Sequence, residues 1–139
     1  MKATVRWIDG ARFDGESGSG HTVIMDGPEE IGGRNLGVRP MEMLLLGTAG
    51  CASVDVVSIL QKSRQPVAGC VAEVEATRVD AVPAVFESIH MHFKVSGDGL
   101  SEKHVDRAVS LSAEKYCSAS IMLTAGGVKI THSFEIVAA

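Results

Sequence analysis

The stretch Arg39-Pro40-Met41-Glu42-Met43-Leu44-Leu45-Leu46-Gly47-Thr48-Ala49-Gly50-Cys51-Ala52-Ser53-Val54-Asp55-Val56-Val57-Ser58-Ile59-Leu60 decides how this chain folds. Pro40 sits at a favoured first-turn position, and the helix it opens runs to about Arg64, before Gln65-Pro66 ends it. At ~1.5 Å per residue the helix is ~36 Å long. Met43 to Leu46 are apolar in succession, and Val54, Val56, Val57, Ile59 and Leu60 are nearly so. Such a helix is apolar almost all round and must be buried on all sides. A single chain of this size has a radius of gyration of only ~14 Å and would struggle to wrap it. The expectation is a homodimer in which a second subunit covers one side.

Working outward, residues 2–8 and 20–25 read as strands, with turn chemistry at Asp9-Gly10 and from Gly15 to Gly20. Gly18-x-Gly20 lacks the following helix and the Lys-Ser/Thr of a phosphate loop. Residues 71–79 and 85–96 read as a strand pair, Ile89, Met91, Phe93 and Val95 pointing one way and His90, His92 and Lys94 the other. A second helix is expected from about Ser101, its N-cap, to Cys117, with Val105, Ala108, Val109, Ser112, Ala113 and Tyr116 as its inward stripe. Gly126-Gly127 breaks the chain before a last strand carrying Val128, Ile130, Phe134 and Ile136. The order strand–strand–helix–strand–strand–helix–strand reads as α+β with antiparallel sheet, in a single domain spanning residues 1–139.

Composition narrows the function. Thirteen basic and 17 acidic residues leave a net charge of −4, and aromatics are 4% of 139 residues. A base-stacking nucleic-acid module needs the opposite of both. The N-terminus carries no apolar signal-peptide region. The uncharged run Met43–Val54, twelve residues, is too short for a bilayer. Three cysteines are no disulfide scaffold, so the reading is a cytoplasmic protein with reduced thiols and no membrane partner.

Cys51 lies mid-helix on the small, weakly polar stripe Leu44, Gly47/Thr48, Cys51, Val54/Asp55, Ser58. Cys117 ends the second expected helix beside its apolar stripe, 66 residues further on. Only the fold can bring two such thiols together, and in a reducing compartment a pair of this kind is catalytic rather than structural. Cys70, entering a strand, reads as a small apolar residue. A free thiol is only ~3% ionised at neutral pH. Asp55, one turn from Cys51, opposes ionisation, so a cation is needed, and Arg12, Arg34 and Arg39 lie in the loops leading to the helix. His90-x-His92 lacks a third ligand and reads as a solvated strand face, and His132 as a core histidine.

The run from Arg39 to Cys51, followed by Asp55-Val56-Val57, resembles the OsmC/Ohr family, nearest its YhfA-like branch; so does Leu111-Ser112-Ala113-Glu114-Lys115-Tyr116-Cys117-Ser118. The resemblance covers essentially the whole chain. It implies an intertwined homodimer with antiparallel sheets around two long central helices. It also implies a thiol-dependent peroxidase for organic hydroperoxides, serving oxidative-stress defence, with Cys51 as the peroxidatic thiol and Cys117 as the resolving one. No bound cofactor is implied, only an external dithiol reductant of lipoyl type. The family activates its thiolate with an Arg–Glu pair whose Glu immediately follows the helix-opening proline. Here Met41 stands there and the acid, Glu42, comes one residue later, a ~100° turn on the helix. Arg34 and Arg39 are the candidate arginines, with Arg12 behind them. The rival reading is a non-catalytic dimer of the same fold binding an apolar small molecule.

Overall fold

The computed structural model describes residues 1–139, which divide into two compact units, Met1–Leu44 and Leu45–Ala139. The first unit is an antiparallel meander of β1 (Ala3–Asp9), β2 (Arg12–Ser17) and β3 (Thr22–Met25), paired in that order. Gly10, at φ +48°, makes the tight turn between β1 and β2. β2 lies between the two expected strands and ends inside the Gly15–Gly20 stretch that reads as turn. It becomes a strand because Phe13 faces both Trp7 and Met25 across the sheet, and pairing context outweighs weak intrinsic propensity.

The loop after β3 is organised by Asp26, whose buried carboxylate accepts the backbone N–H groups of Gly27 (2.7 Å), Arg34 (3.2 Å) and Leu36 (3.1 Å). A side chain at Gly33 would fall on the Gly27 carbonyl, so this crossing requires glycine. The loop closes where Met25 bridges Val38. Helix α1 (Pro40–Lys62) begins there, opened by Pro40 as expected.

The second unit holds most of α1 and a sheet of β4 (Gly69–Arg78), β5 (Phe86–Ser96) and β6 (Lys129–Val137). β4 and β5 are antiparallel, but β6 runs parallel to β5, so this sheet is mixed rather than antiparallel. A hairpin reverses the chain between β4 and β5. The long helical crossover between β5 and β6 returns it to the starting edge, so both strands run the same way. Ile89, Met91, Phe93 and Val95 of β5 are buried, as their alternation requires, together with Val56 and Leu60 of α1.

The crossover is not the single helix expected from 101 to 117. Helix α2 (Glu102–Leu111) runs into a π-helical segment, Ser112–Tyr116, and Cys117 then starts a separate helix, α3 (Ser118–Ala125). Ser101 does hold the N-cap position of α2, although its side chain makes no capping bond; its own N–H is taken by Gln65 Oε1 at 2.9 Å. Val105, Ala108 and Val109 bury the inward stripe of α2.

By length and composition α1 is apolar enough to cross a membrane, with a mean hydropathy of 1.9 over its best window. The uncharged twelve-residue run therefore understated it. Thr48, Ala49, Ala52, Val56 and Leu60 are buried in the fold, while Leu46 (55% exposed) and Val54 (68%) are bare on another face.

Candidate active site

Thr48, Cys51 and Ala52 lie within one turn of α1, so their groups face the same neighbour. That neighbour is the junction of the π-helical segment with α3. Ser112 Oγ donates to the Ala52 carbonyl at 2.9 Å, and the Cys117 thiol donates to the Thr48 carbonyl at 3.9 Å. The two bonds pin the segment carrying Cys117 against the turn carrying Cys51.

The wider π turn sets this geometry. The Cys117 N–H reaches back five residues to the Ser112 carbonyl at 2.8 Å. The backbone of Cys117 then turns extended, at φ −72° and ψ 100°, which makes Cys117 the N-cap of α3. Its sulfur takes the place of the usual capping oxygen. It accepts the Ser120 N–H at 3.4 Å and the Ser120 hydroxyl at 3.1 Å.

The Cys51 thiol stands close enough to Cys117 to act on its ionisation, and both cysteines are free thiols. Cys117 is wholly buried, whereas Cys51 is partly exposed. Burial pushes the Cys117 thiol above its ordinary range; the two Ser120 donors pull it down, and the Cys51 thiol pushes it up again. The pair is thus asymmetric. Cys51 is the partly exposed member, and Cys117 is enclosed but already supplied with donors that stabilise a thiolate.

The candidate arginines are engaged within the first unit. Arg34 donates to both carboxylate oxygens of Asp9 at 3.0 and 3.1 Å, and both side chains are more than half exposed. Arg39 donates to Asn35 Oδ1 at 2.8 Å and to the Gly37 carbonyl at 3.4 Å. Arg12 pairs with Asp14. Glu42 accepts the Arg39 backbone N–H at 2.8 Å, the reciprocal half of a capping box at the start of α1. No ion pair joins Glu42 to an arginine.

Cys70 is partly buried at the start of β4, opposite Val95, and burial raises its pKa. On the outer face of the second sheet, Ser133 Oγ bridges His90 Nε2 (2.9 Å) and His92 Nδ1 (2.7 Å), and His90 Nδ1 meets Thr131 Oγ1. No group of three His, Cys, Asp or Glu side chains is placed to hold a metal.

Ser120, Ser112 and the Thr48 carbonyl are the site groups that sequence reasoning missed. Ser120 stands three residues after Cys117, the spacing between an N-cap and the amide it caps. Reading one unbroken helix through residue 117 concealed that signal.

Comparison with known proteins places this geometry in context. The family profile described as OsmC-like protein matches residues 32–133. The chain is 48% identical to Protein YhfA of Escherichia coli K12 over 142 aligned positions that cover both chains completely. A solved hypothetical protein from Aquifex aeolicus is 28% identical, with a TM-score of 0.85 over 99% of this chain and 96% of that one. An organic hydroperoxide resistance protein of Legionella pneumophila shares the fold at a TM-score of 0.70 and 17% identity, over 96% of this chain and 95% of that one.

Proposed function

The chain belongs to the OsmC-like family, a family linked to osmotic and hydroperoxide stress, and from that premise we propose that it is a thiol-dependent peroxidase of organic hydroperoxides. The observation that carries the reading is the asymmetric thiol pair: Cys51 partly exposed, Cys117 buried beside it and held by Ser120. The Cys51 thiolate attacks the distal hydroperoxide oxygen. The O–O bond breaks, the departing oxygen takes a proton and leaves as the alcohol, and Cys51 becomes a sulfenic acid. The Cys117 sulfur then attacks the Cys51 sulfur, the S–O bond breaks, and hydroxide leaves as water with the Cys117 proton. An external dithiol of lipoyl type reduces the disulfide, and no bound cofactor takes part.

A Cys51 thiolate needs a positive charge, and Arg39 and Arg34 are the candidates the sequence offers for it. Each is held by exposed partners that bind it weakly and can release it. Glu42 would orient that guanidinium only by giving up its bond to the Arg39 amide. That commitment favours the second reading, a non-catalytic dimer that binds an apolar small molecule.

The working unit is a homodimer. Leu46 and Val54 are exposed on α1, and a side chain built at Gly47 or Gly50 would meet nothing within 4 Å, so nothing inside the fold requires glycine there. Proteins of this family are soluble, and reduced thiols suit the cytoplasm.

Mass spectrometry after one equivalent of cumene hydroperoxide tests the peroxidase reading. The wild type should yield a Cys51–Cys117 disulfide, Cys117→Ser a single sulfenic acid at Cys51, and Cys51→Ser neither. Turnover should follow under dithiothreitol. A protein that loses no thiol under these conditions is the binding protein instead.

A further inference from the structure

A groove of about 400 Å³ lies between α1 and α2, within the range of small-molecule sites, ~300–1,000 Å³. It is lined by Asp55, Ser58 and Lys62 of α1, by Arg107 of α2 and by Tyr116. Asp55 Oδ2 is buried and receives no hydrogen bond, the one buried side-chain polar atom in the chain left so. Buried polar atoms are nearly always partnered, so a donor is missing at Asp55 Oδ2. The cations of the groove are unpaired in turn: neither Arg107 nor Lys62 takes part in an ion pair. A ligand that satisfies both carries an ammonium for Asp55 and a carboxylate for the Arg107 fork, a bidentate match Lys62 reinforces. These are the two ends of an α-amino acid.

The position of the groove says what the rest of the ligand does. Asp55 is one helical turn, ~5.4 Å, beyond Cys51 on the same stripe of α1, and Tyr116 immediately precedes Cys117. The cysteines do not line the groove, but an amino acid held at Asp55 and Arg107 lies within about one helical turn of Cys51, a distance its side chain can span.

We propose that this groove binds a low-molecular-weight amino-acid thiol and delivers it to the oxidised pair as a reductant, beside the dithiol route. The inference rests on the peroxidase reading for the origin of the disulfide. The ligand thiolate attacks the Cys51 sulfur, the more accessible of the two. The S–S bond breaks, and its electron pair leaves on Cys117, where the Ser120 N–H and hydroxyl stabilise the thiolate until it takes a proton. A second thiol attacks the ligand sulfur of the mixed disulfide and frees Cys51. Two ligand thiols become one ligand disulfide, and two electrons pass to the protein.

The test starts from a Cys70→Ser background oxidised with diamide, so that the Cys51–Cys117 disulfide forms without any hydroperoxide activity. Its reduction is followed with L-cysteine, cysteamine, 3-mercaptopropionate and 2-mercaptoethanol, each rate corrected for thiolate fraction. The rate should saturate with L-cysteine and stay linear with 2-mercaptoethanol. Asp55→Asn should slow L-cysteine and cysteamine about tenfold while leaving 3-mercaptopropionate unchanged, and Arg107→Gln should slow L-cysteine and 3-mercaptopropionate but not cysteamine. Linear kinetics with L-cysteine, or equal effects of Asp55→Asn on all four thiols, would overturn the proposal. Calorimetric titration of the reduced protein with S-methyl-L-cysteine separates it from the reading it rests on. Binding that Asp55→Asn weakens, in a protein inert to hydroperoxide, removes the peroxidase and keeps the groove; hydroperoxide turnover without such binding removes the groove alone.

Discussion

At the scale of single residues, Cys117 is governed by two opposed effects. Enclosure disfavours its thiolate, and Ser120 favours it with two donors. Ser120→Ala removes the closer one and should lengthen the life of the Cys51 sulfenic acid about tenfold, since the attacking sulfur then ionises less readily. The first oxidation of Cys51 should keep its rate. Stopped-flow with a sulfenic-acid trap separates the two steps, and a slowed first oxidation would count against Ser120 acting through Cys117. Burial raises the folded-state pKa of Cys117 above its unfolded value, so the fold holds the proton more tightly than the open chain. The resulting stability is complete below the unfolded pKa, ~8.5, and is lost as pH rises through the folded value. Melting temperature should therefore fall more steeply above about pH 8.5 in the wild type than in Cys117→Ala. Cys70 adds a slope of the same sign that the comparison leaves in place.

At the scale of elements, the π-helical segment and the Asp26 loop do the positioning. Deleting Glu114 from Ser112–Tyr116 would let α2 continue with α-helical bonds and rotate Cys117 by ~100° about the axis. The variant should keep its far-ultraviolet dichroism but fail to form the Cys51–Cys117 disulfide with diamide; disulfide formation at the wild-type rate would show that the wider turn is dispensable. The loop from Asp26 to Val38 depends on one carboxylate. Burial works against its charge, but the backbone N–H groups of Leu36, Gly27 and Arg34, with the Arg34 charge, prevail and hold its pKa below the ordinary carboxylate value. A lowered pKa gives stability that is present above the unfolded pKa, ~3.9, and lost as pH falls through the folded one. Asp26→Ala should accordingly lose protection from hydrogen exchange at Gly27, Arg34 and Leu36 at neutral pH, and its stability should fall less on acidification than that of the wild type.

At the scale of the whole molecule, the exposed face of α1 calls for a cover. Val54, 68% exposed, is the site at which a charge should do most harm to assembly and least to the fold of one chain. Val54→Glu should sediment as a 14.6 kDa species at micromolar concentration with its dichroism unchanged, while the wild type sediments at twice that mass. A wild type that sediments as the single chain would remove the dimer.

The amino-acid sequence by itself determined α1, because Pro40 starts it, Gln65-Pro66 stops it and propensity over so long a run is local. It determined the buried face of β5 for a similar reason: alternation over Ile89, Met91, Phe93 and Val95 depends only on the two-residue period of a strand. It singled out Cys51 and Cys117 as the candidate thiols. β2 was not legible, because Gly15 and its neighbours have no strand preference until Trp7 and Met25 flank Phe13. Nor was the parallel direction of β6, which follows from where the crossover returns the chain. The meeting of the two thiols was decided only in three dimensions. They are 66 residues apart, and their separation is set by a π turn, a Ser112–Ala52 bond and a Thr48 carbonyl. Local pattern specifies which face of an element is apolar. Which residue of another element arrives against it depends on loop lengths and one extra residue in a helical turn, quantities that leave no periodic trace.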